Sequence, residues 1–395
     1  MNKFFSSSIR AVNAKRGITE CMESALGDHF SDCTLVIIHA SIGHNFQELV
    51  DQAHELAPNA KIVASSCCGI VGREGVSESM KDIAIMAVTG EAPKVAGVDG
   101  IYSHNSYEKC LEMASKLKAE DPGVRILYFL ASGIDINNSE CLRALIEVFG
   151  NEVSIFGATS SDNMKGVISY QSFDGKVYTN AAYLVGFSDP ELGVETQATH
   201  GFVAVGEPLI VTKSHGNKIL ELNGKPAWSH YLNRLGLHEN ASCGESIPIG
   251  ALAEELPSAL AQEYGNNHIL SVVTKQEGDT MYYAKSIPEG TKLWLTARDE
   301  NRIFEQMEVM TNQMCERLKG KEIVAVFHAD CLARGRYLFN KVLKEELVNR
   351  MQFPFLKNGE CPPWLGMYGF GEFARLGNQN TYHNYTTALY ILYKN

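Results

Sequence analysis

One pattern is written three times along this chain, and it constrains the fold more than any single motif does. An apolar run of strand length ends in a short polar loop. An amphipathic stretch follows, then a second apolar run ending in small residues, then a closing apolar run. The first copy comprises Thr34–Ala40 (TLVIIHA), a helix near Phe46–Ala57, Lys61–Gly69 (KIVASSCCG) and Asp82–Val88 (DIAIMAV). The second comprises Arg125–Ser132 (RILYFLAS), a helix near Ser139–Phe149, Val153–Asp162 (VSIFGATSSD) and Ala181–Phe187 (AAYLVGF). The third comprises Glu322–Cys331 (EIVAVFHADC), a helix near Arg336–Gln352, Gly366–Glu372 (GMYGFGE) and Thr387–Tyr393 (TALYILY). Repetition on this scale reports architecture before chemistry. A helical crossover makes the first two strands of each copy parallel, and the closing strand is free to run antiparallel. The expectation is an α/β fold with mixed sheets and helical crossovers, built from repeated strand-helix-strand-strand units in two closely packed domains. Polar turns at strand ends are where such sheets usually bind ligands.

The segments between the copies read less evenly. Lys94–Tyr102 has the look of an edge strand, Ser106–Ala119 has helical spacing, and Asn301–Leu318 is a long amphipathic helix. After Asp189 the pattern changes to Gly-punctuated antiparallel strands with a turn at Gly216–Asn217, and Pro226 opens a helix to about Leu235. Gly236–Glu263 mixes Gly, Ser and Pro with short helical runs, and strands resume from His268. The expected division is an N-terminal extension over 1–31, a domain over 32–222 and a second over 223–395.

Charge and composition exclude several classes. The net charge is −11 over 395 residues with no Lys/Arg-rich run, which argues against nucleic acid and against an anionic membrane surface. No apolar stretch approaches the ~20 residues of a membrane span, so no membrane insertion is expected. The ten cysteines contain no CxxC and no disulfide-like spacing, so reduced thiols and a cytoplasmic location are expected. None of the twelve histidines forms a zinc spacing, and no Walker loop, HExxH or GxSxG occurs. GFGEFA at Gly369–Ala374 matches G-x-G-x-x-A, but an Asn-rich turn and a final strand follow it rather than a helix, so it is not read as a nucleotide site.

The candidate ligand site is the C-terminal cluster. Arg334, Glu372, Asn378, His383 and Asn384 sit in polar turns beside Cys331, with Tyr368, Phe370 and Tyr382 as apolar wall. Arginine grips carboxylates through two parallel bonds, and asparagine offers both donor and acceptor. The turns Ser65–Gly69 and Thr159–Asp162 add candidate pocket groups, of which Ser66 and Cys67 are the first choices. No CxxCH occurs, so no covalent c-type haem is expected; a noncovalent haem b needs only one axial histidine and stays open as a cofactor.

These segments together resemble the FIST family of sensory domains. The resemblance rests on CLAR at Cys331–Arg334, GMYGFGE at Gly366–Glu372, NTYHNYT at Asn380–Thr386, the SSCCG turn and VTKSHGNKILELNGKPA at Val211–Ala227. It covers roughly Asp32 to the C-terminus, in both halves of the family. It implies an intracellular signal-input module that binds a small molecule such as an amino acid and occurs beside histidine kinases and cyclic-dinucleotide enzymes. It also implies, for the stand-alone NosP-like group, haem with nitric oxide as ligand and a histidine kinase as partner; His200 and His383 are then the candidate axial ligands. The expected function is a non-catalytic sensor reporting to a separate protein. A thiol-dependent enzyme using Cys67, Cys68 or Cys331, and a pure protein-interaction module, remain as alternatives.

Overall fold

Three sheets face one another around a shared apolar core, one from each copy of the repeat. A computed structural model describes residues 2–335 and 338–394, with the side chain of Glu263 outside the description. Within each copy the first and second strands are parallel and the closing strand is antiparallel to the first, as expected. Cys33–Ser41 pairs with Lys61–Cys67 and with Asp82–Thr89. Ile126–Ala131 pairs with Ser154–Thr159 and Ala181–Phe187. Glu322–Cys331 pairs with Trp364–Gly369 and Thr387–Lys394. The crossover helices are Phe46–Leu56, Asn138–Phe149 and Lys341–Gln352. Arg336 and Tyr337, at the start of the third expected helix, lie outside the described residues.

Each unit is larger than the motif read from sequence. An edge strand and a helix precede every copy: Lys3–Arg10 with Ala14–Leu26, Lys94–Asp99 with Ser106–Glu120, and Leu192–Thr199 with Glu300–Arg317. Each edge strand lies antiparallel along its unit's closing strand. Residues 1–31, read as an extension, therefore hold the edge strand and first helix of the first sheet. The apolar face of Ala14–Leu26, through Ile18, Cys21 and Met22, is buried against that sheet.

Each unit also gives away a hairpin, and the exchange is cyclic. The hairpin Ile70–Gly72/Gly75–Ser77 of the first unit pairs with the third unit's second strand. Gln171–Phe173/Lys176–Tyr178 of the second unit pairs with the first unit's Lys61–Cys67. Gly371–Leu376/Gln379–His383 of the third unit pairs with the second unit's Ser154–Thr159. Every sheet is thus completed by a neighbour, so no unit closes alone.

The core between the sheets is aromatic. Phe327 lies 5.3 Å from both Tyr128 and Phe156, and Phe156 lies 5.0 Å from Tyr390, measured between ring centroids. Rings of this size supply large buried apolar area and favour offset or tilted contacts. The polar groups of this core are paired: His39 Nδ1 is 2.7 Å from Ser65 Oγ and its Nε2 is 3.0 Å from Tyr128 Oη. Gly157 has φ of 137°, and a Cβ there would strike the Phe129 carbonyl, so the second unit's parallel pair requires glycine at this point.

The third unit is interrupted. Between its edge strand and its helix Glu300–Arg317 lies an inserted module with its own antiparallel sheet and its own core of Leu209, Val211, Trp228, Tyr231, Met281 and Tyr283. The expected boundary at 222/223 falls inside this module, where Leu222 and Lys225 are partners in one ladder. The module docks on the units through side chains as well as backbone. Tyr385 Oη donates to Ile247 O at 2.8 Å, Asn384 N to Leu270 O at 3.2 Å, and Asn138 N to Ala284 O at 2.7 Å. Among the described residues no helix is long and apolar enough to cross a membrane.

Candidate functional site

The third unit's first strand ends on Asp330 and Cys331, and a single 3-10 turn, Leu332–Arg334, brings the Arg334 side chain back under the strand end. The guanidinium is fully buried. Nε donates to Asp330 Oδ1 at 2.9 Å and Nη1 to the His200 carbonyl at 3.0 Å, while Nη2 meets no partner among the described residues. Glu372 enters from the third unit's hairpin, directly across from His383 in the ladder. It is 0% exposed; neither carboxyl oxygen makes a hydrogen bond of ordinary geometry among the described residues, the Thr386 N–H and the Cys331 thiol being the donors that act on it.

The pseudo-symmetry of the fold explains why Glu372 is bare. In the receiving sheets Ile70, Gln171 and Glu372 occupy the same row, opposite Met367, Ser65 and Ala158. Gln171 is satisfied: its Nε2 donates to Ser160 Oγ at 2.5 Å and Ser169 Oγ at 3.0 Å, and its Oε1 accepts from Ala181 N at 2.9 Å. Register places Gly369 where the second unit has Ser160, and Cys331 where it has Ser132. Of the two hydroxyls that serve the amide, that of Ser160 is replaced by the hydrogen of Gly369, and Phe370 stands two residues before Glu372 where Gln171 has Ser169.

The inserted module roofs the cluster. Tyr264, the last residue of the helix Ser258–Tyr264, lies between two imidazoles, 5.9 Å from the His200 ring and 5.6 Å from the His383 ring. Among the described residues its hydroxyl, Thr159 Oγ1 and His383 Nδ1 are buried without a hydrogen bond of ordinary geometry, the Thr386 and Tyr382 hydroxyls being the groups that act on the first two. The cluster is therefore assembled by the second and third units and the module.

Burial dominates the electrostatics. The Glu372 carboxyl is pushed well above the usual carboxylate range, by desolvation first and the nearby Asp330 second. The Cys331 thiol is pushed far up by burial and then by Glu372. The imidazoles of His200 and His383 are lowered to about 3 by burial, so both are neutral.

The sequence-predicted residues divide clearly. Arg334, Glu372, Cys331, His383 and His200 come together. Asn384 adjoins them as a structural clamp, its Nδ2 donating to Phe370 O at 2.9 Å and its N–H to the module. Asn378 is exposed at the hairpin tip, four ladder rows from Glu372 or roughly 14 Å at strand spacing, and does not join the cluster. Ser66 and Cys67 lie at the joint of the first two units instead. Ser66 Oγ donates to Ser161 O at 2.8 Å, and Cys67 faces the central core. Thr159, from the second of the candidate polar turns, joins the cluster; Asp330 and Tyr264 were not singled out from sequence. Asp330 carried a signal, as a charged residue inside an otherwise apolar strand; Tyr264 lay in the least readable stretch.

The residues do not fit a haem. His200 uses both ring nitrogens, Nε2 to the His268 carbonyl at 2.9 Å and Nδ1 accepting from Phe202 N at 2.9 Å. His383 Nε2 is 2.7 Å from Thr381 Oγ1, and the ring is fully buried under Tyr264, which leaves a macrocycle no face to approach. Among the described residues no group of three or more His, Cys, Asp or Glu is placed to hold a metal ion.

Comparison with known proteins places this geometry. Uncharacterized protein MJ1623 of Methanocaldococcus jannaschii is 22% identical over 234 residues, 56% of this chain and 42% of that protein, so the chain spans less than half of this relative's length. A cyanuric acid hydrolase aligns over the full length of both chains at 8% identity and a TM-score of 0.35. Phosphoribosylformylglycinamidine synthase II of Thermotoga maritima aligns over 100% of this chain and 72% of that one, at 9% identity and a TM-score of 0.23. Likenesses this distant carry no argument about fold or activity. Family models decide the matter: the FIST N domain matches residues 34–225 and the FIST C domain residues 227–375. The chain belongs to the FIST family, whose domains are sensory ligand-binding modules of signal transduction.

Proposed function

We propose that this chain takes a small polar molecule into the cluster around Arg334 and Glu372 and reports it, without turnover, to a separate protein. The observation that carries the reading is the set of orphaned groups. A guanidinium nitrogen and both oxygens of a carboxyl are fully buried with no hydrogen bond of ordinary geometry among the described residues. Each such group costs on the order of 1–3 kcal/mol, and native interiors rarely tolerate several in one place. A ligand with matching donors and acceptors removes that cost.

The seam position supports a signalling role. The roof belongs to the inserted module and the floor to the second and third units, so ligand contacts differ between docked and undocked arrangements of the module. A ligand shifts a conformational equilibrium only through such differential contacts. The partner we infer is a histidine kinase, the output class to which the family resemblance points, in a cytoplasm that keeps the ten cysteines reduced. Lack of turnover is supported by the thiols: Cys67 and Cys331 are both raised far above the range where a thiolate forms.

The test is a thermal-shift screen of small amino, hydroxy and carboxylic compounds on the wild type and on Arg334→Met, followed by hydrogen exchange across residues 243–264. Binding that vanishes in the variant, and protects the roof in the wild type, is the expected result. A ligand that binds both proteins equally and leaves the roof unchanged overturns the site assignment. Hydrolysis of a thioester, amide or phosphoester by the wild type but not by Cys331→Ala or Cys67→Ala overturns the non-catalytic reading.

A further inference from the structure

The charges of the cluster do not balance, and the imbalance says what the ligand brings. Asp330 and Arg334 form a buried pair at 2.9 Å, which cancels. The described side chains that act on Glu372 are known by element, and beside its ladder partner His383 lies Lys285 of the module, paired with Glu254 at 2.6 Å. Asp330 and Cys331 come from the third unit's first strand and Arg334 from the turn after it. Tyr382 comes from the hairpin, Tyr390 from the closing strand and Tyr264 from the module. His383 stands opposite Glu372 in the ladder as a neutral ring. Among the described residues Arg334 is the cation that acts on Glu372, and two of its three nitrogens are already committed to Asp330 and the His200 carbonyl. An ionised Glu372 would therefore be an uncompensated charge in a closed, fully buried site, and a buried charge is held only when paired.

We infer that the cluster binds a compact molecule carrying a protonated nitrogen and that Glu372 gives up its proton in exchange. This rests on the proposed sensor site and adds the ligand's charge class and a proton to it. The exchange is Glu372–COOH plus R–NH3+ giving Glu372–COO− paired with R–NH3+ and one H+ released to solvent; no bond in the ligand changes. An ammonium has three donors and no acceptor. Around the site, among the described residues, the acceptors without a hydrogen bond of ordinary geometry are the two Glu372 oxygens, the Tyr264 hydroxyl oxygen and Thr159 Oγ1. Arg334 Nη2 is a donor, which suits a hydroxyl or carbonyl elsewhere on the same ligand. An anionic ligand would reach Arg334 only through Nη2 and would bring a second negative charge beside Asp330. Because binding expels a proton, affinity for the cation rises with pH by up to tenfold per unit while Glu372 is protonated in the free protein.

Three probes of nearly the same shape test this: ethanolamine as the cation, ethylene glycol as the neutral counterpart and glycolate as the anion. Calorimetric titration near neutral pH, in two buffers of different ionisation enthalpy, counts protons. The expected result is binding of ethanolamine in preference to the other two with release of one proton. Infrared difference spectra should show loss of a protonated-carboxyl carbonyl band on binding. Glu372→Gln, checked for an unchanged melting temperature or a higher one, should abolish both the proton release and the band. Preference for glycolate or ethylene glycol abolished by Arg334→Met overturns the inference while leaving the sensor site standing. Ethanolamine binding without proton release overturns it, as does failure of all three probes to bind. Loss of the sensor site itself would show instead as no compound of any charge class distinguishing wild type from Arg334→Met.

Discussion

Replacing Glu372 with methionine should stabilise the protein, although a fully buried side chain is being changed. Methionine is unbranched, similar in volume and adaptable, so the packing term is small. What is removed is a carboxyl whose two oxygens lack a hydrogen bond of ordinary geometry, worth about 1–3 kcal/mol of desolvation. The gain should grow with pH. The folded-state value of Glu372 lies well above its ordinary 4.5, so the native chain holds a proton that the unfolded chain has released. Stability of the wild type is therefore fully present below 4.5 and falls as pH rises towards the folded value, by up to about 1.4 kcal/mol per pH unit. The variant lacks this loss. Gln171→Met at the equivalent row is the internal control with opposite sign. It strips bonds from Ser160, Ser169 and the Ala181 N–H and should cost about 1–3 kcal/mol. Urea unfolding followed by both tryptophan fluorescence and circular dichroism, with coincident transitions required before any free energy is extracted, gives both numbers. A Glu372→Met protein less stable than the wild type, or a difference that does not change between pH 5 and 8, would refute the reasoning that the carboxyl is unserved.

Three further outcomes follow from the same packing. Arg334→Met leaves Asp330 buried without its cation and should cost about 3–5 kcal/mol, recovered in large part by adding Asp330→Leu; unfolding midpoints of the single and double variants check it. Gly157→Ala meets both a left-handed φ and the Phe129 carbonyl, and should lower stability by at least about 2 kcal/mol, read as a fall in melting temperature, whereas Gly216→Ala, with open space around it, should cost only the φ strain of about 1 kcal/mol. His200 and His383 should show no imidazole titration by NMR between pH 8 and 5, because burial holds both near 3; each withdraws up to about 1.4 kcal/mol of stability per pH unit as pH falls from 6.5, where the unfolded chain takes up protons first.

What the sequence determined by itself is the repeating unit. Strand and helix periods are local, and a helical crossover leaves its two strands parallel, so the order within Thr34–Val88, Arg125–Phe187 and Glu322–Tyr393 could be read without any long-range knowledge. The FIST family could be read too, from the order of short segments. The cyclic exchange of hairpins was not legible. Ile70–Gly72 and Gln171–Phe173 are three-residue strands with no period to detect, and which sheet receives them depends on how the units pack. The edge strand Lys3–Arg10 was missed because its partner, Asp82–Thr89, lies more than seventy residues away. The site divides along the same line. Arg334, Cys331, Glu372 and His383 were legible as polar residues in turns at strand ends. Asn378 met the same description, and only hairpin register put it at the far tip. Tyr264 and the His200 carbonyl reach the cluster because the inserted module folds back over the third unit. Whether a buried polar side chain finds a hydroxyl, as the Gln171 amide finds Ser160, or a glycine, as the Glu372 carboxyl finds Gly369, is decided by which residues the tertiary fold brings opposite it, and no local pattern encodes that.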